Sequence, residues 1–487
     1  MIGSGGGGAV VAAELAESGL DVVLLEQGAY HTKRDFDQNE GTMLPRLFED
    51  AAQRLTEDGA VTILQGRGVG GSTVHNLGYC FRAPQPILEL WADEHGVREL
   101  GSLTASFERV EQGLHVTQIL PEEVNPHNRA IQRGSELLGY HGLVARHNRV
   151  GCVRAGFCIL GCSYDAKKSM LVTYIPRADR AGARVLADAK VERVEVRRGI
   201  KRVRATIGDE RGRPAGELDV EAAVVVCCAG AIATPVILQA SGLGGDAVGR
   251  NLHLHPNLIA SGIFPKPIHA YYGIPQSYYI DEFIDLERDP KRGYLLMPIA
   301  GYPVLTAASL PGFGRELFSI LRDYPRIGGL LALLHDQSSG RVERGSDGRP
   351  RITYTLEDAD RRQLAQALKR VVEVLWASGA ERVIVPYLDG ALLLRPEDGT
   401  SEIDRRGVRE GIIPLSSTHP QSTCRMGEDP SLSVVNSFGE THDTRGLFVA
   451  DMSVFPTSLG APPQITTAAL ADRTARHIAA RWSELRA

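Results

Sequence analysis

The chain opens Met-Ile-Gly-Ser-Gly-Gly-Gly-Gly, and nothing else in its 487 residues constrains the fold as strongly. Gly3, Gly5 and Gly8 fit the spacing G-x-G-x-x-G, with Ser4 inside the turn. An alanine-rich apolar run follows at helical spacing and stops at Gly19, where a C-cap belongs. Residues 21–26, Asp-Val-Val-Leu-Leu-Glu, then read as a short buried strand ending in Glu26, eighteen positions past Gly8. This is a βαβ unit suited to a dinucleotide. Glycines let the backbone approach a pyrophosphate, the helix N-terminus offers free N–H groups and a positive dipole end, and the Glu26 carboxylate can accept from a ribose. Only Met1 and Ile2 precede the motif, against roughly five residues in a typical strand. Either the first strand is short or the chain begins inside it.

A second glycine-dense stretch spans Leu64–Pro84 and does not open a helix in the Rossmann manner. Its Gly66, Arg67, Gly70, Gly71 and Ser72, followed by His75 and Asn76, form a loop whose backbone amides can lie against a flat ring or a phosphate. Further on, a buried strand over 220–230 ends in Ala229-Gly230 and leads into a helix, a second place for close backbone approach.

Composition narrows the class. The length exceeds a single typical core and favours two domains. Apolar residues at 43% and charged residues at 23% are those of a soluble globular enzyme, and a net charge of −5 gives no reason to expect nucleic acid. No uninterrupted apolar run is long enough for a membrane span, and no signal-peptide pattern is visible. Seven cysteines argue against a disulfide framework and fit a reducing, cytoplasmic setting.

Four stretches together resemble the glucose–methanol–choline (GMC) oxidoreductases. They are Gly66-Arg67-Gly68-Val69-Gly70-Gly71-Ser72-Thr73 with Asn76, Val248–Pro256 (VGRNLHLHP), His419–Gly427 (HPQSTCRMG), and 447–473. The resemblance implies an FAD-binding α/β domain of Rossmann type with a second, α+β substrate domain on an antiparallel sheet. It places Val191, Ala229, Gly230, Asp451, Pro463, Gln464 and Thr466 with the glycines, Ser4, Glu26 and the 66–76 loop around FAD. It also points to His419 as the group that takes a hydroxyl proton while hydride passes to flavin N5, a task a neutral imidazole suits. The family's second catalytic side chain, His or Asn, is replaced here by Pro462 in the turn Gly460-Ala461-Pro462-Pro463. Proline has neither a side-chain donor nor an N–H. The partner is therefore absent or relocated to Gln464, His255 or His75. His75 stands where some members bond FAD covalently.

The expected division is an FAD-binding domain over 1–256, with inserted segments around 85–183, a substrate domain over 257–415, and a return to the first domain over 416–487. Helices are expected at 86–95, 103–114, 127–139, 166–182 and 357–379, and strands at 294–304 and 350–356. Cys152, Cys158 and Cys162 resemble part of a ferredoxin run, but Ala155 stands where one ligand would be, so a thiol-bearing loop is the plainer reading. The reading is an FAD-dependent oxidase or dehydrogenase for an uncharged or hydrophobic alcohol, passing electrons to oxygen or another acceptor. A same-fold flavin lyase, a flavoenzyme of altered chemistry, and a non-catalytic flavin-binding partner protein are the alternatives.

Overall fold

In the computed structural model, which describes residues 1–209 and 212–486, the opening motif sits in the middle of a parallel sheet. Arg184–Leu186, Val23–Leu25, Ile2, Val225–Cys227 and Leu447–Val449 lie side by side in that order. The strand before the glycines is thus a single bridged residue. Ile2 donates to the Val226 carbonyl and accepts from the Cys228 N–H, and Leu25 bonds Met1 and Gly3 on the other side. The helix Gly8–Glu17 follows, with Val10, Val11, Ala12 and Ala13 fully buried. Alanine suits it because the helices Tyr174–Arg180 and Gln464–Ala480 both pack against it, leaving little room for longer side chains.

The second layer is a large antiparallel sheet. Its centre pairs Asn257–Ile263 with Ile327–Leu334, and Ile327–Leu334 with Tyr294–Ile299, in continuous register. The helix Asp358–Ala377 covers one face, burying Leu364, Leu368, Val371 and Leu375 at helical spacing. The opposite face carries Ile259, Leu295, Met297, Leu331 and Leu333, all apolar and brought level by the strand register. This sheet is not confined to 257–415: Arg54–Leu55 and Val61–Ile63 join at one edge and Gly142–Val144 at the other. A separate three-stranded meander is formed by Ala189–Arg197, Ile200–Gly208 and Pro214–Ala222.

Three expected elements differ. The strand expected over 220–230 is a buried strand only over Val225–Cys227, because residues 220–222 belong to the meander strand Pro214–Ala222. The helix expected over 166–182 is α-helical only over Tyr174–Arg180, after a 3₁₀ turn at Met170–Val172. Pro176 falls in the first turn, where the missing N–H has no intrahelical acceptor to lose. The strand expected over 294–304 ends at Ile299, and Pro303 instead starts the helix Pro303–Ser309, a favoured place for proline. Among the described residues no helix is long and apolar enough to cross a membrane.

Candidate active site

Two glycine loops face each other above the parallel sheet. A Cβ on Gly71 would lie 2.8 Å from the Gly5 Cα, whereas a Cβ on Gly5 would meet nothing closer than that Gly71 Cα, at 3.9 Å. The space over Gly5 is open while the turn beneath it is packed. A Cβ on Gly8 would fall 1.9 Å from the Gly3 carbonyl oxygen, and one on Gly7 would fall 1.7 Å from that of Ala450. Gly7 lies outside the motif spacing, and its constraint comes from a distant segment, so sequence reasoning passed over it.

Glu26 is buried and its carboxylate is fully engaged. Ser4 donates through its N–H (3.0 Å) and hydroxyl (2.7 Å) to one oxygen, and the N–H groups of Gly28 (3.0 Å) and Gly68 (3.3 Å) reach the other. Burial pushes its pKa up against these donors. Glu26 therefore ties the first loop to the second, because Gly70 also donates to Ser4 Oγ. A ribose hydroxyl would have to share or displace one of these donors. Val191 is buried in the strand whose first residue, Ala189, donates to the Glu26 carbonyl. Asp451 accepts from the Gly230 N–H, the Thr234 hydroxyl and the Ser453 N–H, so it anchors the Ala229-Gly230 turn from below. Gly66 donates to Ser72 Oγ across the loop, while the side chain of Arg67 is exposed.

Around the N-terminus of Gln464–Ala480 several polar atoms are buried without a partner: His75 Nε2, Asn76 Oδ1 and Thr466 Oγ1. Burying such groups is costly unless a ligand satisfies them. Asn76 donates to Gln464, joining the second loop to this helix. Pro463 caps the helix without a side-chain bond. His75 packs against the Phe48 ring at 3.9 Å, and burial drives its pKa down to about 3, so the imidazole is neutral. The open space over Gly5, the first-turn N–H groups of two helices and these unpartnered atoms fit a flavin dinucleotide.

Lys167 was not anticipated. Its buried ammonium donates to the carbonyls of Val74, Asn76 and Cys158, fixing the backbone on both sides of His75. Burial lowers its pKa to about 8. Arg149 reaches Cys158 Sγ at 3.3 Å and Cys152 Sγ at 3.9 Å. No group of cysteines, histidines and carboxylates able to hold a metal occurs among the described residues.

His419 lies half-buried beside the turn 460–463, and burial lowers its pKa to about 4. Of the three relocated-partner candidates, the structure brings His255 to it: the two Nδ1 atoms are 3.3 Å apart. The Gly460 N–H donates to His255 Nε2 at 3.0 Å. That contact makes Nε2 an acceptor, so the neutral His255 carries its proton on Nδ1, facing His419. His419 Nε2 has no chain partner among the described residues. Behind the pair, buried Asp336 accepts from the N–H groups of Leu254 and His255, from Tyr354 Oη and from Ser458 Oγ. It therefore clamps the His255 backbone to the segment preceding Gly460. Asp336, two residues past the apolar strand Ile327–Leu334, was also missed. Gln464 instead bonds Asn76, next to His75, at the start of Gln464–Ala480.

The sequence matches the GMC oxidoreductase family over residues 13–257, the N-terminal part, and 336–471, the C-terminal part. An uncharacterized GMC-type oxidoreductase of Mycobacterium tuberculosis is 32% identical over 477 residues, covering 97% of this chain and 74% of its own. A long-chain-alcohol oxidase of Arabidopsis thaliana is 30% identical over 494 residues, covering 96% of this chain but 65% of its own length. Among solved structures, pyridoxine 4-oxidase from Mesorbium loti superimposes with a TM-score of 0.72 at 19% identity, over 98% of both chains. That likeness shows the fold.

Proposed function

Since this chain belongs to the GMC oxidoreductase family, whose cofactor is FAD, we propose that it oxidises the CH–OH group of an uncharged or hydrophobic alcohol, with His419 taking the hydroxyl proton. The observation that carries the reading is the His419–His255 contact beside a turn that ends in the cofactor-facing helix. Bound FAD supplies the hydride acceptor, N5. The similarity to a plant long-chain-alcohol oxidase and the apolar sheet face at Ile259, Leu295, Met297, Leu331 and Leu333 support an apolar substrate. Oxygen or another electron acceptor completes the cycle.

The chain's own residues have three tasks. Glu26, Ser4, Gly68 and Gly70 hold the two loops together at the adenosine end, and Lys167, Asn76 and Gln464 fix the flavin end. The N-terminus of Gln464–Ala480 favours negative charge nearby. His419 receives the proton on Nε2, its unengaged nitrogen. To do so it must carry its own proton on Nδ1 and donate it to His255, which then bears its proton on Nε2 and releases the Gly460 N–H. Leaving that buried N–H without its acceptor costs about 1–3 kcal/mol, so this tautomer lies about 5- to 150-fold below the resting one. Anaerobic reduction of the flavin by an alcohol tests the reading.

Two results are expected. Because burial holds the pKa of His419 near 4, the rate of flavin reduction should be flat from pH 8 to about 5, and should fall about tenfold per unit below about 4, where the ring is protonated. Stopped-flow reduction across pH checks this; a titration near pH 6.5 would mean His419 is not the group being read. Second, Pro462→Asn restores the family's side chain at a buried position already served by His255. The substitution should leave the reduction rate unchanged or lower it. A tenfold gain would show that His255 does not fill the role.

A further inference from the structure

A cavity of about 390 Å³ lies beside the site and is not accounted for by the cofactor contacts. Its apolar wall is Phe81, Leu143, Val144 and Tyr279, with the Phe81 and Tyr279 rings edge-to-face at 4.9 Å. Its lining passes from Cys80, 6% exposed, to Leu143, 44% exposed, so one end is buried and the other faces solvent. The buried end matters because Gln464 Nε2 lies 3.8 Å from Cys80 Sγ. Gln464 opens the cofactor-facing helix and bonds Asn76, so the buried end of the cavity abuts the flavin-facing residues.

Two of the polar side chains around the cavity are already engaged. Arg146 places both terminal nitrogens on the Glu111 carboxylate at 3.0 Å, and Gln118 donates to the carbonyls of Val144 and Ala145. An aliphatic chain would meet aromatic and branched surface there, open to solvent beside Leu143. Cavities of this size bind small molecules when most of the lining is apolar.

We infer that this cavity, running from Leu143 to Cys80, receives the unbranched aliphatic chain of the alcohol and so sets chain-length preference. The inference rests on the oxidation proposed above. Each methylene entering the cavity should lower KM about fourfold, the worth of its burial, until the space is filled.

The test uses the FAD-loaded enzyme and its Leu143→Trp and Leu143→Asp variants, both at an exposed position that the fold tolerates. Reduction by ethanol should be the same in all three, while KM for 1-decanol should rise tenfold or more in the variants. Calorimetric titration of 1-decanol into the dithionite-reduced enzyme measures the same site without turnover, and should show binding that both variants weaken tenfold. If neither variant changes decanol binding, or decanol does not bind, the cavity assignment is wrong. If decanol binds, the variants weaken it, and still no alcohol bleaches the oxidised flavin, the cavity stands and the alcohol-oxidation reading falls.

Discussion

Replacing His419 with Ala should slow reduction of the bound flavin by about 10²- to 10⁴-fold while FAD stays in place. The separation of effects follows from the layout. The His419 ring contacts His255 and its backbone bonds the side chains of Ser417 and Gln421, whereas the residues proposed to hold the cofactor are the glycine loops, Glu26 and the helix at Gln464. The variant should therefore copurify with a full complement of flavin and give a normal visible spectrum. Its defect should appear in the single-turnover rate, not in substrate affinity alone, because the lost group acts on a proton in flight. His255→Ala should give a smaller loss, since it orients His419 without meeting the hydroxyl. A His419→Ala enzyme that reduces its flavin at the normal rate would remove the proton-acceptor assignment and leave the fold reading untouched.

The second large effect is expected at Gly8. A methyl there would sit 1.9 Å from the Gly3 carbonyl oxygen and 3.0 Å from the Cys228 side chain. The obstructing atom is backbone, so no rotamer change can relieve it. The turn must open, and with it go the two bridges Ile2 makes, to Cys227 and to Leu25. Gly8→Ala should yield protein without FAD and lower the stability of the apoprotein by about 3 kcal/mol, the upper range for overpacking. Gly5→Ala provides the contrast. Its methyl enters open space, 3.9 Å from the Gly71 Cα, so the apoprotein should melt normally and only the uptake of FAD should suffer. Thermal melts of the two apoproteins distinguish them; equal stabilities would contradict the close-packed reading of Gly8.

The two substitutions also show where the sequence was legible. Gly3, Gly5 and Gly8 announce a dinucleotide through local chemistry, since the helix, the strand and Glu26 all follow within a few turns of chain. Gly7 says nothing locally; its need for a missing side chain comes from Ala450, which folding alone brings alongside. The relocated partner is similar. Sequence narrowed it to Gln464, His255 or His75, three polar residues in recognisable stretches. Choosing among them required the start of Asn257–Ile263 to be placed against residues 417–421, a pairing between remote segments. Glu26 was found for its charge at the right spacing, but its four chain donors come from three loops and could not be counted in advance. Lys167 was hidden for another reason: a lysine in a chain is ordinarily read as solvated, and its burial depends on three carbonyls converging from two segments. The overlong helix at 166–182 failed there because Lys167 forms an antiparallel bridge with Arg149 and the Lys168 N–H goes to the Asn148 carbonyl.

Loaded with FAD, this chain is expected to take hydride from an alcohol, with His419 accepting the proton. Anaerobic mixing of the FAD-loaded protein with a series of primary alcohols, from ethanol to 1-decanol, tests it most directly. The account predicts loss of the flavin absorbance band, faster or at lower concentration as the chain lengthens, and near-abolished in His419→Ala. A fully FAD-loaded protein whose absorbance no alcohol in the series bleaches would contradict it.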